Sequence, residues 1–174
     1  MIDNKAILRQ EFELGNIEQM LKSFDVPCSL IARSELVPIC AIYVPMEPDD
    51  QKRDRGYGLS FVPMDEDDME NSSLLQLYYE FPFEFNSKFE LPLLRYINAM
   101  NLLQPLGNFG IKDDQKFYFR YILIVGKDDD LNKDMLLDTL MMFEYLISIY
   151  EDQIDGLNSG QLTLEAALEE LNDY

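Results

Sequence analysis

The chain contains no histidine among its 174 residues. That absence removes the Ser–His and Cys–His nucleophile pairs. It also removes most catalytic zinc sites, because two cysteines alone, Cys28 and Cys40, cannot complete a metal shell. Both cysteines sit among apolar and β-branched neighbours, which reads as buried free thiols and not as a disulfide framework. Basic residues are scarce as well: 14 Lys and Arg stand against 33 Asp and Glu, a formal net charge of -19. Such a chain repels phosphate backbones and anionic lipid, so nucleic acid is not an expected partner. The densest basic patch, Lys52, Arg53 and Arg55, is interleaved with Asp49, Asp50 and Asp54. No uncharged run approaches the length of a membrane span, and Arg120, Asp138 and Glu144 interrupt the longest apolar stretches. Met1 to Gln10 mixes Asp3, Lys5 and Arg9 with short apolar pairs, which is not a signal-peptide pattern. The expectation is a cytoplasmic protein without membrane insertion.

What is present suffices for a core. Hydrophobic residues make up 47% of the chain, so wholesale disorder is not expected. The length fits one domain, taken as residues 1–156, with 157–174 as a short helical tail poorer in bulky apolar residues. Helical spacing of Ile17, Met20, Leu21 and Phe24 places a helix over Asn16 to Phe24, with Asn16 as cap and Gln19 three residues on. Whether Asn4 to Leu14 continues it is open, because Gly15 weakens the join. Strands follow at Val26 to Arg33 and Leu36 to Val44, turned at Ser34-Glu35, then at Tyr57 to Val62 and Leu74 to Phe81. In the last, Leu75, Leu77, Tyr79 and Phe81 take one face. The charged segments Pro45 to Arg55 and Pro63 to Ser72 read as exposed loops.

Helical period returns over Leu91 to Gln104, with Pro92 suited to the first turn and Pro105 and Gly107 ending it. A hairpin, Phe109 to Lys112 and Phe117 to Val125, turns at Asp113-Asp114-Gln115. A long helix from about Leu131 to Gln153, capped by Asp130 or Asn132 and stopped by Gly156, comes next. A last helix, Leu164 to Leu171, starts behind Thr163. Strands in succession and segregated helices give an α+β class: an antiparallel twisted sheet with helices packed on one face.

Asp128-Asp129-Asp130-Leu131-Asn132 resembles the opening of a calcium loop, but Lys133 stands where that loop needs glycine and Thr139 where it needs glutamate. Acids at a helix N-terminus account for the run. No metal, cofactor or catalytic carboxylate pair is singled out. Two constellations do stand out. Asn98 and Asn101 interrupt an apolar arc around Leu94 and Ile97; they either tie the helix to a neighbouring turn or strand end, or touch a ligand. On the long helix, Asp134, Asp138, Ser148 and Asp152 form a thin polar stripe, and apolar residues cover nearly everything else. One sheet face cannot bury that many sides, so Met135, Met141, Met142, Tyr145 and Ile149 are candidates for a partner surface; the competing reading is that other helices cover them.

The stretch Leu93-Leu94-Arg95-Tyr96-Ile97-Asn98-Ala99-Met100-Asn101, then Gly107-Asn108-Phe109 and the strand through Arg120, resembles the YbjN-like family of bacterial sensory transduction regulators. The resemblance runs from about Asn16 to Gln153. That family is similar in fold to type III secretion chaperones, which are small, acidic, usually dimeric proteins that bind secreted clients. The resemblance implies that fold here, and marks Asn98, Asn101 and Arg120 as fold markers or pocket residues. The expected function is a chaperone-like or regulatory protein-binding module, not an enzyme, acting as a homodimer on a protein partner or client. The alternative is a small-molecule- or metal-responsive regulator with a pocket near Asn98, Asn101 and Arg120.

Overall fold

A computed structural model describes residues 4–35, 37–64, 69–112, 115–127 and 131–172. Its elements run α1 (Asn4–Ser23), β1 (Ser29–Ile31), β2 (Ala41–Met46), β3 (Arg55–Phe61), β4 (Ser72–Glu84), a 3-10 turn (Ser87–Phe89), α2 (Glu90–Leu103), β5 (Asn108–Ile111), β6 (Lys116–Gly126), α3 (Lys133–Ser159) and α4 (Leu164–Asn172). The six strands form one sheet in the order β1-β2-β3-β4-β6-β5, with antiparallel registers. This is the α+β architecture expected from the segregated pattern. The chain divides into two compact units, Met1–Tyr79 with Ile122–Asp134, and Glu80–Tyr121 with Met135–Tyr174.

In the first unit the sheet pairs side chains of one face in rows. Ile42 lies beside Leu59 and Leu59 beside Leu77; Val44 lies beside Tyr57 and Tyr57 beside Tyr79. All six are buried, and α1 lies against β1 and β2. α1 is one continuous helix, so Asn16 is an interior residue and not a cap. The buried positions Ala6, Leu14, Ile17 and Leu21 form one stripe on both sides of Gly15. Burial of that stripe outweighs the cost of glycine in a helix interior, about 1 kcal/mol. Asp25 ends the helix in a left-handed conformation, with its amide donating to Lys22 and that of Val26 to Leu21.

The next strands are displaced from their expected places. β1 is three residues long, and β2 begins at Ala41 and runs through Pro45. β1 pairs only as far as Tyr43, so β2 is an edge at Pro45, where a strand tolerates proline. The tight turn expected at Ser34-Glu35 is instead a longer connection, since Ile31 pairs with Ala41; within it Ser34 N donates to the Val37 carbonyl at 2.8 Å. The loop after β2 is more ordered than its charge suggested. Asp49 is only 6% exposed, and its carboxylate accepts from the amides of Gln51 and Arg53 and from the Arg53 guanidinium. The acids Asp65 to Asp68 of the following loop, and Asp113 and Asp114 of the expected hairpin turn, lie outside the described residues.

The second unit is built on aromatic rings. Phe119 stacks on Phe109 and on Phe143 of α3, with ring centroids 4.2 and 4.6 Å apart, and Tyr150 meets Phe109 edge-on at 5.4 Å. Phe81, Phe83 and Phe85 continue the cluster to Phe117. α3 does not stop at Gly156. It runs on to Ser159 and ends at Gly160, whose φ of 76° suits glycine. The Phe89 ring also leaves no room there, since a Cβ on Gly160 would lie 2.4 Å from it. The boundary expected at 156 therefore falls inside a helix, and beyond it Leu157, Asn158, Ala167 and Leu171 are buried. α4 starts as expected, with Thr163 Oγ1 accepting from the Ala166 amide.

Candidate functional site

α3 buries Leu136, Leu140, Phe143, Leu146, Ile147 and Tyr150. Its other side keeps Met135, Met141, Met142 and Tyr145 at 42, 71, 38 and 54% exposure. Ile149 is half-buried at the flank of this row. Asp134, Asp138, Ser148 and Asp152 are exposed on the same side, so the apolar row is set among acids and is not separated from them. After Lys133, α3 contains no basic residue. These side chains are thus not core: their surface is left over once the core is complete. Clustered exposed methionine and tyrosine is a feature of adaptable protein-binding surfaces.

The three residues expected near a pocket separate in the structure. Asn101 is a clamp between α2 and β5. Its Nδ2 donates to the Phe109 carbonyl at 2.9 Å, and its Oδ1 accepts from the Phe109 amide at 2.8 Å. Gln104 Nε2 donates to the same Oδ1 and to the Gly107 carbonyl, which fixes the turn. Asn98 and Leu94 are exposed, which corrects the reading of that arc as an interrupted buried face; α2 instead buries Leu93, Tyr96, Ile97 and Met100. Arg120 stands opposite Asn108 in the β5–β6 ladder, with its side chain exposed. Its carbonyl lies where a Cβ on Gly107 would meet it at 2.8 Å, so the glycine permits the close turn. Asn101 and the Arg120 backbone are fold-building. None of the three lines the cavities formed elsewhere by residues of α1 or by residues of α2 and α4.

Asn158 does the same work and was not foreseen. Its Nδ2 donates to the Glu84 carbonyl at 2.9 Å and its Oδ1 accepts from the Asn86 amide at 2.8 Å. The signal was an amide continuing the buried stripe of Ile154 and Leu157, hidden by ending the helix at Gly156.

Some of the charged side chains are held in ion pairs. Glu80 is held between Lys112, 3.0 Å from one carboxylate oxygen, and Lys116 on the other. Glu18 accepts from Lys22 and from the Leu30 amide, both at 2.8 Å, which covers the outer edge of β1. Burial, before any charge effect, pushes both thiols up, Cys28 and Cys40 alike, which disfavours the reactive thiolate. Among the described residues, His, Cys, Asp and Glu side chains form no group of three able to hold a metal. The Asp128 to Asp130 part of the calcium-loop-like run lies outside them. Among the described residues, no helix is long and apolar enough to cross a membrane.

Fold and surface together define an α+β protein with an open antiparallel sheet and an unusually apolar solvent face on its longest helix. The chain belongs to the YbjN family, whose model, described as "Putative bacterial sensory transduction regulator", matches residues 16–156. Among solved structures it is similar to "YbjN, a putative transcription regulator from E. coli", at 18% identity and a TM-score of 0.48, covering 86% of this chain and 94% of that one. No curated protein matches.

Proposed function

We propose that this protein is a non-enzymatic, chaperone-like or regulatory module that acts by docking a partner protein on the solvent face of α3. The single observation behind this reading is the exposed row Met141, Met142 and Tyr145 on a helix whose opposite side is packed. Burying those side chains against a partner is favourable by roughly 25 cal/mol per Å² of apolar area, and the described residues leave the row uncovered.

The acids around the row favour a partner with an apolar centre and a cationic rim. A second copy fits less well electrostatically. α3 offers another α3 no basic residue after Lys133, so the homodimer expected from the sequence would set Asp134, Asp138 and Asp152 against like charges. A photo-crosslinking residue in place of Tyr145 tests this in living cells, with one in place of Asn98 as the control. The expected result is a Tyr145-specific adduct to a different protein, weakened by salt. An adduct to a second copy of this chain makes the homodimer the correct reading. No adduct specific to Tyr145 rejects the docking face.

A further inference from the structure

The first unit contains a cavity of about 330 Å³, lined by no residue of α3. Its size lies at the small end of ligand pockets, so it suits a single small metabolite and not a nucleotide or a lipid chain. One wall comes from α1, where Ile7, Glu11 and Leu14 recur at helical spacing and share a face. The facing wall comes from the segment between β1 and β2, with Arg33, Ile39 and Cys40. Phe61, at the end of β3, closes the apolar part.

Two charges of opposite sign line this apolar space. Among the described residues, neither Glu11 nor Arg33 makes a hydrogen bond or an ion pair with anything else. Arg33 is exposed and Glu11 is half-buried. The Cys40 thiol is pushed up by burial and then by the Glu11 carboxylate, which agrees with both groups lining the same cavity. An apolar carboxylate alone would desolvate Glu11 without a partner, and an apolar amine alone would leave Arg33 unused. A zwitterion with an apolar body answers both charges and fills the rest.

We propose that this cavity binds a free apolar α-amino acid, its ammonium on Glu11, its carboxylate on Arg33 and its side chain against Ile7, Leu14, Ile39 and Phe61. The site gives the protein a metabolite input that does not depend on the docking role of α3.

Calorimetric titration with L-leucine and L-phenylalanine tests it, with phenethylamine, 3-phenylpropionate and L-serine as probes lacking the carboxylate, the ammonium or the apolar body. The two apolar amino acids should bind saturably, and each truncated probe should bind at least about tenfold more weakly. Glu11→Gln and Arg33→Gln should each cost about tenfold in affinity for L-phenylalanine. A second readout needs no variant: L-phenylalanine should slow alkylation of Cys40 by iodoacetamide while leaving Cys28 unchanged, as mapped by peptide mass. The proposal is overturned if neither amino acid binds, if phenethylamine or 3-phenylpropionate binds as well as L-phenylalanine, or if Cys40 is not protected. Should a variant fail to fold, protection of Cys40 in the unaltered protein decides.

Discussion

Asn101 grips Phe109 by both polar atoms of the backbone: the side-chain amide donates to the Phe109 carbonyl, and the side-chain oxygen accepts from the Phe109 amide. The contact pairs helix to strand edge as a further strand would. β5 is the last strand of the sheet, and this clamp supplies hydrogen bonds where no strand follows. Replacing Asn101 with Ala should cost about 1–3 kcal/mol, because a backbone donor and acceptor both lose their partner. Asn101→Asp keeps the acceptor but sets a carboxylate oxygen against the Phe109 carbonyl, and should cost at least as much. Urea unfolding measures both; an Asn101→Ala protein as stable as the original would show that water replaces the clamp freely.

The exposure of α3's outer row makes a separable expectation. Met142→Asp and Tyr145→Asp should leave stability within about 0.5 kcal/mol, since both side chains face solvent. The same changes should abolish partner capture. Phe143→Ala, one residue from Met142 but fully buried against the Phe119 ring, should cost about 3–5 kcal/mol. Thermal unfolding of the three variants side by side checks the assignment of faces. If Met142→Asp destabilises as Phe143→Ala does, the row belongs to the core.

Gly15 and Gly160 should respond in opposite directions to alanine. Gly15 is interior to α1, and a Cβ added there would meet nothing within 4 Å, so Gly15→Ala should stabilise by about 0.5–1 kcal/mol. Gly160 has a left-handed φ and the Phe89 ring in the way, so Gly160→Ala should destabilise by about 1 kcal/mol or more. Chemical denaturation of the two variants gives both signs. A destabilised Gly15→Ala would mean that α1 breaks there.

Acid should loosen the loop between β2 and β3. Burial acts to raise the Asp49 carboxyl, but the hydrogen bonds from the Arg53 amide and guanidinium, the Arg53 charge and the Gln51 amide outweigh it, so the group sits below its ordinary range. A folded-state value below the unfolded one contributes stability that is present at neutral pH and lost as pH falls below about 4. Asp49→Asn should lower stability at neutral pH and flatten its dependence in that acidic window. Equilibrium unfolding at a series of pH values measures this, and an unchanged slope would remove Asp49 from the account.

Local pattern carried much of the fold. The alternation Leu75, Leu77, Tyr79 and Phe81 predicted the buried face of β4 residue by residue, since side chains two apart in a strand must share a side. Thr163 announced α4 because a hydroxyl can satisfy a free helix amide. Gly15 left the join of α1 open and Gly156 misled, for one reason. Their propensity acts within a turn of helix, whereas the packing that overrides it comes from distant residues. Pro45 misled similarly, because whether a proline breaks a strand depends on which neighbour strand it would have to bond.

The candidate site divides along the same line. The sequence by itself determined that α3 carries more apolar surface than one sheet face can cover, and that no histidine chemistry is available, because both follow from composition and helical period. Only the tertiary structure decided that Met135, Met141, Met142 and Tyr145 lie on the uncovered side, that Asn101 is occupied by Phe109 while Asn98 faces water, and that Glu11 and Arg33 line one cavity. Periodicity states which residues share a face; which face is buried depends on partners far away in the chain, and that is a property of the packed fold.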